Sequence, residues 1–576
     1  MNSVRSACSV MDCFGKGGCY HRRINQPVPF LSPGRVNLSP SFRRLPVNGL
    51  SRSTKDLRCP DRFFLCSVVV LLLLTNACAY HVNSLVDAPD AKPGDGKCES
   101  AEGLCTLRAA VMEANANSLT SRIEVPNGLY QLTLPVNSGG GRLAITRGVK
   151  IQGAGAATTV IDGKHTDIVI HVDCVGLCGE VAINNLTVQG GNAQGGGGIT
   201  VNGVTAEFNS LVIQDNEAFT GGGGLLVYNG AKVTIRRSAI INNVATGAFG
   251  GGIWNQGELW VYDSTIANNA SNRAGGVRNE GQMNLRNTTV SGNVAKSPEA
   301  GTGGVSQNGF AVLYNVTVTN NTGVGNDAGS FRGGGIQTSA GKITVLKNSI
   351  IAGNHGGTGP DDCVGQLSGD SKYNLIGDTN GCVIPSYVAT YLLNVDPQLG
   401  PLGNNGGPAQ THLPAAGSPA LEAGYAFPPP AADACEKRDQ RGVPRPQGGG
   451  VCDMGAVEVT SANVFVTGFV LVNAAANTDI RPLLYGDTLV LSDLPSELSV
   501  RAVVTGSPGS VVFGYDDAPS FQTENVSPYA LGGDAAGDYN PVSLTPGLHT
   551  VTATPFAAMA GGGAAGGSHT VTFRVW

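Results

Sequence analysis

Between residues 186 and 351 one phrase keeps returning: a β-branched strand, a turn of one or two asparagines, a variable loop, then two to four glycines and an apolar residue. The glycine runs lead into Ile199, Leu225, Ile253, Val277, Val305 and Ile336, at spacings of 26, 28, 24, 28 and 31 residues. The asparagine half keeps step, at Asn216, Asn243, Asn269, Asn293, Asn321 and Asn354. A repeat of this length is one coil of a solenoid, because a single copy cannot bury its own apolar face. Gly, Asn, Val, Ile and Thr all disfavour helix and favour short strands and turns, so each copy reads as a coil of a right-handed parallel β-helix. Glycine permits corners where a Cβ would collide, and asparagine tolerates left-handed turns and can bond to its counterpart one coil away.

Alternation along the strands separates inward from outward positions. The inward column is Ile235, Val261, Leu285, Leu313 and Leu346. One position later, facing solvent, stand Arg236, Tyr262, Arg286, Tyr314 and Lys347, with Trp260 just before Val261 on the same outer side. Residues one coil apart lie ~4.8 Å from each other, so the column stacks cations on rings. It is the candidate ligand-binding strip, where rings would cover sugar faces and guanidinium groups would bond hydroxyls or acids. The competing reading is a solvated face held by cation–π contacts. Extended over residues 122–395, the repeat predicts roughly eleven coils and a rod on the order of 50 Å.

Residues 1–57 are basic, with Asp12 and Asp56 as their acids, and show no apolar periodicity. They read as a disordered leader or as a start assigned too early. Arg58 and Arg62, the apolar run Phe63–Leu74 and Ala77-Cys78-Ala79 form a signal peptide over 58–79, cut before Tyr80. The run is too short to span a bilayer. A lipoprotein signal at Cys78 competes, weakened by Thr75 where leucine is expected. Without this leader 26 basic residues face 39 acidic ones, which argues against nucleic acid as a partner. Eight cysteines remain, at 98, 105, 174, 178, 363, 382, 435 and 452. In an exported chain an even, locally spaced set reads as disulfides, with neighbour pairing (Cys98–Cys105, Cys174–Cys178, Cys363–Cys382, Cys435–Cys452) the simplest connectivity. Zinc would require a CxxC pair or histidine spacing that is absent.

In residues 80–121, a helix over 105–115 would plug the first coil, with Thr106 as N-cap and Leu107, Ala110, Val111 and Ala114 on one face. The segment CTLRAAVMEANAN resembles the CSLREA-type N-terminal motif of bacterial right-handed β-helix proteins, departing from it at Thr106 and Ala109. DPQLGPLGNNGGPAQTHLPAAGSPALEAG (396–424), DQRGVPRP (439–446) and CDMGAVE (452–458) are similar to the choice-of-anchor Q region of such proteins, so 396–460 is expected to close the solenoid. The coil NNVATGAFGGGI is similar to repeats of polymorphic outer-membrane proteins, which act in adhesion. Residues 463–576 alternate as short strands (SVRAVV, GSVVFGY, HTVTATPF, HTVTFRVW), the pattern of an Ig-like β-sandwich. PSFQTENVSPYALGGD resembles modules that trail many secreted bacterial proteins. The resemblance implies an exported or cell-surface protein. No sorting segment follows residue 460, and the end inside a strand at Trp576 leaves room for a further domain.

Fold alone does not settle chemistry. A glycosidase needs two positioned carboxyl groups, and a pectate-lyase-like site needs an acidic calcium cluster with a basic residue. The acids of the coils are scattered. Asp361 and Asp362 are the catalytic candidates, resembling the double Asp of polygalacturonases without the companion motifs. Calcium is the one cofactor left open, at Asp87, Asp90 and Asp95 with Glu99, whose spacing fits no EF-hand. The expectation is a non-catalytic adhesin or scaffold binding extracellular polysaccharide or a cell-surface glycan or protein. The alternative is a polysaccharide lyase or glycoside hydrolase.

Overall fold

The coil beginning at Lys232 shows how the sequence makes one turn of the solenoid, from four short strands joined by tight corners. The first limb, Lys232–Arg236, bends at Arg237 (φ 49°) into a second limb, Ala239–Ile241; Asn242 and Asn243 turn the chain into a two-residue strand, Val244–Ala245, and a loop ending in Gly251 and Gly252 feeds Ile253–Asn255 on the third side. This computed structural model describes residues 79–576 apart from 137–139, 175–177, 248, 298–300, 325–331, 358, 386–389, 416, 426–433, 447–450, 460–463, 536 and 564. The expected leader and, but for Ala79, the signal peptide lie outside the described residues.

Neighbouring coils pair in parallel without slippage, so Ile235 stacks on Val261, Leu285, Leu313 and Leu346, all fully buried. One continuous core runs from Tyr80 to Tyr391. The third side is a sheet of ten stacked strands, from Leu143–Ile145 to Cys382–Val383, which bounds about nine turns rather than the eleven expected. Parallel stacking also starts earlier than residue 122: Ala79–His81 pairs with Ser121–Val125, burying Tyr80.

The two asparagines of the repeat divide the labour. The first takes the left-handed conformation, at Asn242, Asn268 and Asn320 (φ 56–57°), a role filled by Gly292 and Gly353 where the pair reads Gly-Asn. The second is buried and forms a ladder in which each side-chain amide donates to the carboxamide oxygen of the next coil: Asn216 to Asn243 (2.9 Å), Asn243 to Asn269 (3.0 Å), Asn269 to Asn293 (2.9 Å), Asn293 to Asn321 (2.8 Å) and Asn321 to Asn354 (2.8 Å). The ladder ends on Asp362, which accepts from the side-chain amide and backbone N–H of Asn354 at 2.8 Å. The glycine run is the complement of this ladder. A Cβ on Gly252 would stand 2.9 Å from the Asn269 amide nitrogen and 2.8 Å from the Gly276 carbonyl oxygen.

The one α-helix of the described residues, α1 (Leu107–Ala116), has the expected cap, Thr106 accepting from the Ala109 N–H at 3.0 Å, and buries Leu107, Ala110, Val111 and Ala114. Two charged residues of α1 are buried as well. Arg108 forms a bidentate pair with Asp87 and donates to the carbonyls of Gly141 and Arg142, while Glu113 accepts from the N–H groups of Gly94 and Gly96. All four neighbour disulfides form: Cys98–Cys105, Cys174–Cys178, Cys363–Cys382 and Cys435–Cys452. No described helix is long and apolar enough to cross a membrane.

The segment after residue 396 does not simply close the last coil. It runs back along the flank of the second limb, where Thr265 donates to the Gln410 carbonyl, Ser291 bonds His412, Thr289 donates to Gln440 and Thr317 accepts from the Ala456 N–H. A buried ionic network holds it: Asp439 with Arg441 (2.8 Å) and Arg445 with Glu458 (3.1 Å), tied together by the Glu458 N–H donating to Asp439. Beyond it, a three-stranded sheet (Phe465–Asn473, Thr478–Leu483, Leu498–Thr505) and a five-stranded sheet containing Ser510–Tyr515, Gly547–Phe556 and His569–Val575 enclose a second core around Phe469, Val500, Phe513 and Phe573. This module leans on the solenoid: Arg122 donates to the Gly486 carbonyl, Asn185 to that of Tyr485 and Arg237 to that of Thr570.

Candidate functional site

The first limb presents its outward residues as columns, because parallel register repeats each position at every coil. Arg236 stacks on Tyr262, Arg286, Tyr314 and Lys347, and Trp260 belongs to the neighbouring column with Thr234 and Asn284, as the alternation predicts. The rings and cations do meet. The Arg236 guanidinium lies 4.1 Å from the centre of the Tyr262 ring, Lys232 5.7 Å from Trp260, Arg286 5.2 Å and Lys347 5.9 Å from Tyr314. Trp260 and Tyr262 are themselves stacked, 6.4 Å apart at 15°.

Solvent exposure divides the strip in two. Arg236 is exposed and Trp260 and Tyr262 half-exposed, but Tyr314 keeps only 8 % of its surface. The flank segment covers that end: the Tyr314 hydroxyl donates to the Ala434 carbonyl at 2.5 Å, and Arg286 pairs with Glu436 at 2.5 Å. Half-buried Lys347 lies against the same covered ring. The solvent-facing position expected for Tyr314 is therefore corrected. Its partner segment lies 120 residues away in sequence, beyond the reach of a local pattern.

At the open end the strip continues into a groove of about 300 Å³ between the first limb and the C-terminal module, lined by Arg122, Lys150, Glu207, Arg236, Tyr485 and Arg574 among others. The sequence reading missed it. Arg122 and Lys150 occupy coils outside the obvious repeat, although counting back from Trp260 in register through Thr234, Glu207 and Ala182 reaches both. Tyr485 and Arg574 come from another part of the chain and carry no such signal. Two of the acids nearby are paired, Glu180 with Lys150 (2.8 Å) and Glu258 with Lys232 (3.4 Å).

A smaller cavity of about 110 Å³ marks the junction of solenoid, flank segment and module, with Asp263 and His569 in its wall. Burial raises the Asp263 carboxyl to about 6 and lowers the His569 imidazole to about 4, because desolvation penalises the charged form of each.

The other sequence candidates have structural partners. Asp362 is buried at the end of the ladder and also accepts from the Asp378 N–H; burial raises its carboxyl above the usual range. Asp361, half-buried beside it, donates its N–H to the Asn354 carbonyl. The calcium candidates are not brought together. Asp87 binds Arg108 and the N–H groups of Thr133 and Leu134, Asp90 accepts from Lys92 and Glu99, and Asp95 accepts from Lys97. Among the described residues no three His, Cys, Asp or Glu side chains gather as a metal site.

No curated protein and no solved structure matches the chain. Residues 169–379 match the family model described as the right handed beta helix region, so the stacked coils are a right-handed β-helix by sequence pattern as well as by structure.

Proposed function

We propose that this is an exported, extracellular or cell-surface β-helix protein that binds glycans along the open half of its first face without cleaving them. The observation that carries the reading is the stacked Trp260–Tyr262 pair, flanked by Lys232 and Arg236 and continuous with a groove bearing Arg122, Lys150 and Arg574. Rings of this kind cover the C–H faces of sugars, and guanidinium groups bond vicinal hydroxyls or carboxylates. Export is supported by four disulfides and by the signal-peptide pattern expected at residues 58–79. In this reading α1 is the plug of the first coil, and residues 464–576 form an Ig-like sandwich that serves as spacer and as one wall of the groove.

The fold is also consistent with pectate-lyase-like proteins. The binding reading is preferred because Glu180 and Glu258 beside the strip pair with lysines and Asp362 completes the asparagine ladder. The test is a glycan array probed with the full chain, together with incubation on acidic and neutral polysaccharides with and without calcium. Retention should fall at least tenfold in Trp260→Ala and Tyr262→Ala, about 1.4 kcal/mol of affinity. New reducing ends or unsaturated products, lost on mutating Asp361 and Asp362, would replace this reading with the enzymatic one.

A further inference from the structure

On the other side of the solenoid, where the glycine loops meet the third sheet, lies an open cleft of about 650 Å³. Two rings stand at it: Phe219, on the loop after the two-residue strand Glu217–Ala218, is 60 % exposed, and Tyr228, following Leu225–Val227, is 37 % exposed. Single exposed apolar side chains are ordinary on a protein surface, but two large rings on one cleft mark a contact surface. The rest of the lining is polar. Asn192 and Gln194 present exposed amides, Thr220 a hydroxyl, and His171 an imidazole bonded through Nδ1 to Thr200.

The electrostatics of this cleft differ from those of the first face. Its one cation–carboxylate couple, Arg142 and Asp167, is closed on itself at 2.7 Å. Burial lowers the His171 imidazole below its ordinary range, which keeps it neutral at pH 7. The walls thus offer rings, amides and hydroxyls with their charges paired off. Among the described lining residues an anionic polymer finds no cation beyond the paired Arg142, whereas a neutral sugar finds rings for its C–H faces and donors and acceptors for its hydroxyls.

We infer that the cleft bounded by Phe219 and Tyr228 is a second binding site, independent of the Trp260–Tyr262 strip, for a neutral saccharide chain. The two sites sit on different faces of one rod, so a single molecule can hold two glycans of different charge.

The test is isothermal titration of the full chain with neutral hexasaccharides (cellohexaose, xylohexaose, mannohexaose and maltohexaose) and with hexagalacturonate, for the wild type and for Phe219→Ala, Tyr228→Ala and Trp260→Ala. Both rings are exposed, so their truncation leaves the core intact. At least one neutral hexasaccharide should bind, at least tenfold more weakly in Phe219→Ala and Tyr228→Ala and within twofold of wild type in Trp260→Ala. Absence of any neutral hexasaccharide binding would overturn the inference, as would binding unmoved by both cleft variants. Loss in Trp260→Ala alone would return the ligand to the first face and also overturn it. Hexagalacturonate binding that fails while the neutral ligand is retained would count against the first face and leave the cleft standing.

Discussion

Asn269 sits in the middle of the buried ladder and makes four side-chain hydrogen bonds: its amide donates to Ile240 and Asn293 at 2.9 Å, and its oxygen accepts from the backbone and side chain of Asn243 at 2.9 and 3.0 Å. At roughly 1 kcal/mol net for each, Asn269→Ala should cost about 4 kcal/mol, with a further penalty for the buried Ile240 carbonyl and Asn243 N–H left unpaired. The more telling variant is Asn269→Asp, nearly the same shape. It keeps the two acceptor contacts but replaces the one amide nitrogen that makes both donations by an oxygen facing the Ile240 and Asn293 oxygens. At pH 7 it should therefore be less stable than the alanine variant, and at pH 4, where protonation restores one donor, the gap should narrow. The same chemistry is native at Asp362 because the next coil presents a donor there, the Asp378 N–H, instead of an acceptor; Asp362→Asn should cost only about 1–2 kcal/mol, by misdirecting one amide hydrogen at that N–H. Guanidinium unfolding followed by far-UV circular dichroism at the two pH values reads all four proteins. If the Asn269→Asp protein at pH 7 lies within 1 kcal/mol of wild type, the ladder is not a directional donor chain and the argument fails.

Three other perturbations test the remaining contacts. Gly252→Ala should destabilise by about 1–3 kcal/mol, although the glycine's backbone conformation would suit alanine, because the new methyl meets the Asn269 amide and Gly276 carbonyl; a stabilised variant in thermal melts would contradict the packing. Asp263 has its carboxyl raised from 3.8 to about 6 by burial, so its contribution is fully favourable below about 4 and is lost as pH rises through 6. Asp263→Asn should therefore gain about 3 kcal/mol over wild type at pH 7 and little at pH 3.5, read as the difference between denaturation midpoints. Arg445 is buried against Glu458 and the carbonyls of Asp453 and Gly455, so Arg445→Ala should cost about 3–5 kcal/mol and expose the flank segment to protease; unchanged proteolysis between residues 396 and 459 would refute that role.

What could be read from the sequence was what recurs locally. The inward column from Ile235 to Leu346, the Thr106 cap and the neighbour disulfides all depend on spacings of a coil or less. The misses share a different cause. Tyr314 was expected in solvent and lies under Ala434, and the residues that hold the flank segment, Arg441, Arg445 and Glu458, look like surface charges until the network that neutralises them is seen. Likewise Phe219 falls in a variable loop, where neither period 2 nor the coil repeat says which way a ring points.

The flank segment has one more consequence. From Arg122 to Trp260 the outward column takes five coil steps, a track of about 24 Å at strand spacing. Past Tyr262 the way is obstructed, since Glu436 and Ala434 lie on Arg286 and Tyr314. Under the proposed reading, a polymer sliding along the rod would meet a stop instead of running its full length, so the bound stretch would have a fixed length and chain ends would be favoured over chain interiors.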